Sequence, residues 1–241
     1  MKTFKTQAGP FKERPYYKDQ EIETTCADEL RKVDLFPSSP QPIRIERFVE
    51  KRFGITPVYE DLPEGLLGFT KFGLKGVEAI SVSRLLAEEG SKPAERRINT
   101  TLAHEAGHGL LHAYLFALGK QTKALSLFGD SVDRKQMKLL CRTGGVQGVR
   151  ESEGTTGYDG RWWEYHANRV IGALLLPQTL VHEALRSVLM ERGMLGTKVL
   201  ESTRREEAVR ILVDVFDVNP IVGRIRLDGM FPLSSEQQLT L

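Results

Sequence analysis

The stretch His104-Glu105-Ala106-Gly107-His108 places two imidazoles four residues apart, with a carboxylate directly after the first. Residues four apart lie on the same face of an α-helix, so both rings can reach one ion. Two such nitrogen ligands beside a Glu that can take a proton from metal-bound water are typical of a zinc hydrolase. The pattern therefore predicts His104 and His108 as metal ligands, Zn2+ as the cofactor and Glu105 as the catalytic general base.

The residues on either side of this stretch predict the helix that it requires. Pro93 suits a first helical turn, where the N–H group has no intrahelical partner, and Gly119 is expected to end the helix. Apolar residues recur between them at a helical spacing: Ile98, Leu102, Ala106 and Leu110. Gly107 and Gly109 each cost about 1 kcal/mol relative to alanine inside a helix. Their presence indicates a close approach by another backbone or by substrate.

Length and composition are those of an ordinary globular protein. The chain has 241 residues, of which 40% are hydrophobic and 27% charged, enough for one sizeable domain or a domain with an appendage. A net charge of +2 argues against direct nucleic-acid binding. The sequence has no apolar run of membrane-spanning length and no apolar stretch of a secretory signal near its start. Two cysteines make no disulfide framework, so we expect a cytoplasmic protein without membrane association.

The hydrophobic patterns predict an α+β fold in which a small β-sheet packs on helices. The predicted strands span 55–59, 66–72 and 77–83, the last two as a hairpin or as neighbours. Besides the His-bearing helix, the predicted helices span 19–33, 43–53, 131–141, 162–176, 178–192 and 202–216, with a short one after Pro220. The stretch 142–160 is predicted to be a long loop, either a lid or binding loop or an insertion without a role.

A catalytic zinc ion takes three protein ligands and keeps one place for water. His112 is excluded as the third, because eight residues of straight helix rise about 12 Å. It is predicted to orient a ligand or to pack. Glu164 shares the inward helix face of Ala167 and Ile171, where a carboxylate is costly unless it is paired or bound to metal. A helix N-terminal charge would also account for Glu164. The other candidate third ligands are His166, Glu151, Glu153, Asp159 and Glu183.

Two segments resemble the helix motifs of the ImmA/IrrE family of metallopeptidases. The first is Thr101-Leu102-Ala103-His104-Glu105-Ala106-Gly107-His108, followed by Leu111-His112. The second is Glu164-Tyr165-His166-Ala167-Asn168 with Leu174-Leu175-Leu176-Pro177, where Leu176 stands in place of the usual Met. The resemblance extends over about residues 41–232. It implies a zincin-like helical core with Glu164 as the third zinc ligand.

The same resemblance implies a zinc-dependent endopeptidase that cuts a protein substrate, typically a helix-turn-helix transcriptional repressor in a stress response. We expect the chain to divide into an N-terminal arm and linker (1–40), a metallopeptidase domain (41–192) and a C-terminal helical subdomain (193–241). Within the domain, 119–160 is an insertion that lengthens the family's usual spacing and could cover the zinc. Cys141 lies in this insertion, either as a small buried hydrophobe or as a thiolate that keeps the site latent.

Several residues are candidates for stabilising the oxyanion and for orienting the metal ligands. An oxyanion-stabilising donor could be Tyr158, Tyr165 or His166, and Asn168 with His112 could orient the metal ligands. A regulatory or binding protein with a structural or latent zinc site is the main alternative to a peptidase. Hydrolysis of a non-peptide substrate is a minor alternative, because a zinc ion with a Glu polarises any water.

Overall fold

The structure is a computed structural model that describes residues 2–5, 13–73, 75–118, 132–133, 138–142, 162–192 and 196–232. These residues form a mixed α+β fold with small sheets, as the sequence predicts. The helices are α1 (Asp19–Lys32), α2 (Ile45–Phe53), α3 (Arg84–Glu89), α4 (Lys92–Leu111), α5 (Ala113–Leu118), α6 (Trp162–Leu175), α7 (Gln178–Ala184), α8 (Arg205–Phe216) and α9 (Pro220–Met230). None of these described helices has both the length and the apolar composition of a membrane span.

The strands are β1 (Lys2–Lys5), β2 (Glu13–Tyr16), β3 (Val58–Glu60), β4 (Leu66–Gly73), β5 (Gly76–Ser83), β6 (Val132–Asp133), β7 (Lys138–Arg142), β8 (Met190–Arg192) and β9 (Thr197–Val199). The main sheet has the order β3-β5-β4-β7-β6, in which β3 and β5 are parallel and the other neighbours antiparallel. The predicted hairpin is confirmed as β4 and β5. Because β4 is the middle strand and packs on α4, it brings the sheet against the His-bearing helix.

The His-bearing helix begins as predicted but ends earlier. Ser91 caps it by accepting a hydrogen bond from the Ala94 amide, and Pro93 lies in the first turn. The predicted continuation to Leu118 is wrong, because His112 leaves the helical conformation (φ −123°, ψ −12°) and α5 starts after it. The Tyr17 hydroxyl donates to the Leu111 carbonyl at 3.4 Å, so a side chain from far away in sequence takes over a bond that a continuing helix would make.

Two other helix predictions are corrected by strand pairing. Within 131–141 the described residues form β6 and part of β7, and β7 pairs antiparallel with β4. The predicted helix 178–192 stops at Ala184, and its end forms β8 against β9. In both cases hydrogen bonding between strands, from the distant β4 for β7 and from the neighbouring β9 for β8, outweighs a local preference for helix. The predicted loop 142–160 lies, apart from Arg142, outside the described residues.

One hydrophobic core contains side chains from most helices and from the sheet. Its fully buried members include Cys26, Phe48, Ile80, Leu102, Ala106, Val170, Leu174, Ala208, Leu212 and Leu227. These residues come from all three parts into which the sequence divides the chain. The Arg226 guanidinium adds polar links, because it donates to the Leu176 carbonyl at 2.9 Å and to both carboxylate oxygens of Glu23. Residues 19–32 therefore pack as part of the core, while the three-part division stays a prediction.

Asp217 joins the C-terminal helices to α4. It ends α8 in the left-handed region (φ 53°), and its carboxylate accepts hydrogen bonds from Lys92 and from Arg96, the latter at 2.9 Å. Burial disfavours the charged carboxylate, but the bonds from Lys92 and Arg96 outweigh burial and hold its pKa below the usual value. Asp217 is therefore ionised in the folded protein under all but strongly acidic conditions.

We expect Asp217→Ala to lower the free energy of unfolding by about 1–2 kcal/mol at pH 7, through lost ion pairs and left-handed strain. Asp217→Asn tolerates that conformation, so its difference from wild type isolates the charge. A carboxyl with a lowered folded pKa contributes stability above its unfolded pKa and loses it as pH falls through the folded value. In urea denaturation, the difference in the free energy of unfolding between wild type and Asp217→Asn should therefore be constant above about pH 5 and shrink below about pH 4. A difference that grows on acidification would contradict this.

Candidate metal centre

The site is built where α4 and α6 cross at close range. A Cβ atom at Gly107 would lie 3.0 Å from Val170 Cβ and 3.1 Å from Ala167 Cα, tighter than ordinary contacts. The close backbone approach predicted from this glycine is confirmed. Gly109 is crowded differently, because a Cβ there would lie 2.7 Å from the Phe53 ring, on the side of α2. Only the first of the two glycines therefore sets the spacing of α4 and α6.

Three side chains converge at this crossing. The ligand atoms of His104, His108 and Glu164 all lie within 4.8 Å of one another, and this is the group of candidate metal ligands found among the described residues. The two imidazole Nε2 atoms are 3.0 Å apart, and His104 Nε2 is 3.2 Å from Glu164 Oε2. Both imidazoles are fully buried, whereas 15% of the Glu164 side chain is exposed. The cluster therefore lies just below the protein surface.

The Nδ1 atoms of His104 and His108 each contact a side chain outside the three-residue cluster. His104 Nδ1 lies 3.0 Å from Asn168 Oδ1, and an amide oxygen only accepts hydrogen bonds, so Nδ1 carries the proton. His108 Nδ1 lies 3.0 Å from His112 Nδ1, and one of these two rings donates to the other. The two contacts are those expected of Asn168 and His112 as orienting residues. In a neutral His104 the Nε2 atom then presents a lone pair to the cluster.

The charge balance of the cluster favours a cation. Burial raises the pKa of Glu164, but the opposing interactions with His108 and His104 are stronger and hold it well below the usual range. Burial lowers the pKa of His108, and more so that of His112. Glu164 Oε1 has no hydrogen-bond partner among the described residues. A buried anion facing imidazole nitrogens is costly unless a cation neutralises it, so the residues fit a bound metal ion.

Glu105 is fully buried beside these ligands. Its carboxylate Oε2 accepts a hydrogen bond of 2.6 Å from the Thr70 hydroxyl on β4, and its Oε1 has no partner among the described residues. Burial raises the pKa of Glu105 to about 8, against the opposing effects of His104 and of the Thr70 bond. A cation held nearby would favour the ionised carboxylate. Sequence reasoning missed Thr70, although a hydroxyl among the apolar residues of β4 was a signal.

The other candidate ligands do not join the cluster within the described residues. His166 is buried, but its ring stacks on that of His112, with centroids 5.8 Å apart. Glu183 is exposed on α7. The candidates Glu151, Glu153 and Asp159 lie outside the described residues. The structure thus brings together His104, His108 and Glu164, the three residues predicted as ligands, with Glu105, the predicted general base, next to them.

The remaining candidates have different surroundings. Tyr165 is half exposed, with the Arg169 guanidinium 5.9 Å from its ring centroid. Tyr158, the third candidate for an oxyanion donor besides Tyr165 and His166, lies outside the described residues. The backbone of Cys141 pairs with Gly68 in the main sheet. Its side chain lies outside the described residues, and with it the hypothesis of a thiolate-held latent site.

Comparison with known proteins does not assign the chain to a family. No protein-family model matches the chain, and no curated protein is significantly similar to it. The resemblance of the α4 and α6 motifs to the ImmA/IrrE family therefore stays a prediction. The geometry and charge of the cluster have to carry any functional conclusion.

The role of Glu164 can be measured directly. We expect Glu164→Ala to weaken Zn2+ binding by about 100-fold or more, because only two protein ligands remain. Glu183→Ala is the matched control, since it removes an exposed carboxylate that the sequence left open as a ligand. Competition with a chromophoric chelator gives both dissociation constants. Equal affinity in the two variants would show that Glu164 is not a ligand.

The helix crossing gives a second test. Gly107→Ala should push α6 away from α4 and weaken Zn2+ binding by about 10-fold, because Glu164 moves with α6. Gly109→Ala meets the Phe53 ring instead, so it should lower the free energy of unfolding without a comparable loss of affinity. In each variant, the higher helix propensity of alanine offsets about 1 kcal/mol of the destabilisation caused by overpacking. Calorimetric titration with Zn2+ and urea denaturation separate the two effects; weaker binding only in Gly109→Ala would contradict this account.

Proposed function

We propose that this chain is a zinc metalloendopeptidase of the ImmA/IrrE type, with a zincin-like helical core. In this proposal His104, His108 and Glu164 hold the zinc ion, and Glu105 is the catalytic general base. The observation that carries it is the convergence of three ligand atoms within 4.8 Å, next to a buried carboxylate with one unpartnered oxygen. Two imidazoles and one carboxylate are a donor set of catalytic zinc sites, whereas Mg2+ and Ca2+ prefer oxygen ligands.

The chain's own residues account for the steps of hydrolysis. When bound, zinc would supply Lewis acidity toward a water molecule and toward the scissile carbonyl. Glu105 Oε1 is the atom that accepts the proton of the attacking water and later delivers it to the leaving amine nitrogen. Asn168 and His112 hold the two imidazoles in orientation through their Nδ1 atoms. Burial of Glu105 keeps bulk water from competing for its carboxylate.

The proposed substrate is a protein, and specifically a helix-turn-helix transcriptional repressor in a stress response. Support for this choice comes from the motif resemblance on α4 and α6, because the described residues carry no feature that names a substrate. A cytoplasmic location without direct nucleic-acid binding agrees with such a partner. The net charge of +2 gives no strong attraction to nucleic acid.

One observation favours the alternative of a regulatory or binding protein with a latent zinc site. Cys141 pairs through its backbone with Gly68, and a Cβ at Gly68 would lie 3.6 Å from Glu105 Oε1. The strand that carries a potential thiolate ligand thus runs beside the site. A closed, four-ligand site would bind zinc without hydrolysing peptides.

The deciding experiment compares zinc-loaded wild type with Glu105→Gln on a peptide library prepared from a digested proteome and on intact helix-turn-helix repressors. We expect wild type to cleave, and Glu105→Gln at equal zinc content to be slower by about 100-fold or more, because the proton acceptor is lost. Mass spectrometry identifies the cut sites, and Glu183→Ala serves as the active control.

Two results would contradict the peptidase proposal. Equal cleavage by wild type and Glu105→Gln would exclude Glu105 as the base. Zinc binding by wild type without cleavage of any substrate would favour the latent-site alternative, and restoration of cleavage by Cys141→Ser would then identify the blocking ligand.

A further inference from the structure

The contact between β4 and the general base suggests a role for a residue outside the metal-binding motif. Thr70 is fully buried in β4, and its Oγ1 lies 2.6 Å from Glu105 Oε2 and 3.0 Å from the Glu105 backbone carbonyl. Both of these oxygens can only accept while the carboxylate is ionised, and a hydroxyl has a single proton to donate. The shorter distance falls in the range of charge-assisted O–H···O bonds, so the proton is directed to Oε2.

We infer that Thr70 is a positioning residue for the general base: its hydroxyl holds Glu105 through Oε2 and leaves Oε1 as the oxygen that takes the proton. This inference rests on the proposed peptidase function and adds a residue that the metal-binding motif does not contain. Among the described residues, the Thr70 hydroxyl is hydrogen-bonded to Oε2, while Oε1 has no hydrogen-bond partner. The two carboxylate oxygens are therefore not equivalent.

Gly68 provides the close approach that this bond needs. Residues 68 and 70 share one face of β4, and a Cβ at Gly68 would lie 2.6 Å from Thr101 Cγ2 and 2.7 Å from the Ser81 carbonyl. A larger residue at 68 would push the strand away from α4. The lack of a side chain there lets Thr70 reach across to the helix and Glu105.

A fixed carboxylate matters for proton transfer because a glutamate side chain has several rotatable bonds. A general base acts only within hydrogen-bond reach of its proton, and small misplacements are costly. One oxygen anchored to a strand of the main sheet restricts the other to a narrow region. The anchor lies in the sheet while the base lies on α4, so their relative position depends on the packing of β4 against α4.

The kinetic test uses full-length, zinc-loaded protein and a peptide from the library that wild type cleaves. Thr70→Val preserves shape but lacks the hydroxyl, and we expect its kcat to fall by about 10- to 100-fold with KM and zinc affinity nearly unchanged. Thr70→Ser retains the hydroxyl and should restore most of the rate. Thr100→Val is the matched control, because its buried hydroxyl donates to the Arg96 carbonyl within its own helix. Thr70→Ala replaces Thr70→Val if that variant fails to fold.

A second readout needs no turnover. In urea denaturation of the metal-free full chain, Thr70→Val and Glu105→Ala should be non-additive, because each variant removes one partner of the same hydrogen bond. Thr100→Val and Glu105→Ala should be additive, because they share no hydrogen bond. Additive effects of the first pair, or a wild-type kcat in Thr70→Val, would overturn the inference while leaving the peptidase proposal intact. Absence of cleavage by zinc-loaded wild type would instead overturn the proposed function and the inference with it.

Discussion

The close crossing of α4 and α6 at Gly107 is the constraint on which the rest of the site depends. Helical pitch alone places His104 and His108 on one face of α4, but a third ligand has to come from another element. The missing side chain at Gly107 lets the backbone of Ala167 approach, and this brings Glu164 within 3.2 Å of His104 Nε2. The same approach places the Asn168 side-chain oxygen 3.0 Å from His104 Nδ1. The single glycine at 107 therefore lets both Glu164 and Asn168 of α6 reach His104.

Packing this tight buries two imidazoles together with a carboxylate that is only 15% exposed. Such an arrangement is unfavourable unless a cation neutralises it or a proton is shared, since charges are poorly screened there. The pKa of His104 reflects this balance: burial lowers it, but the neighbouring Glu164 raises it more, and the net effect is upward. A metal ion bound at this point would replace the shared proton. The burial that accompanies folding thus also creates the charge imbalance that a bound cation would neutralise.

The terminal helices α1 and α9 both contact α6, the helix that carries Glu164. The Arg226 stem on α9 lies against α6, where a Cβ at Gly172 would be 3.2 Å from its Cδ, and the guanidinium pairs with Glu23 on α1. Arg169 on α6 forms a second ion pair, with Asp19 at the start of α1. Through these contacts α1 and α9 hold α6 in place against α4. Segments that read as an arm and a tail in the sequence therefore help to position Glu164.

The sequence by itself determined the features that depend on local periodicity and turn chemistry. The two imidazoles of α4, the end of α2 at Gly54 and the hairpin of β4 and β5 all follow from spacing within one element. Only the tertiary structure decided which carboxylate meets the imidazoles, that α4 ends at Leu111 where a Tyr17 hydroxyl takes its carbonyl, and that Thr70 reaches Glu105. The physical reason is that these contacts join residues far apart in the chain. Their geometry comes from how whole elements pack, which no window of neighbouring residues encodes.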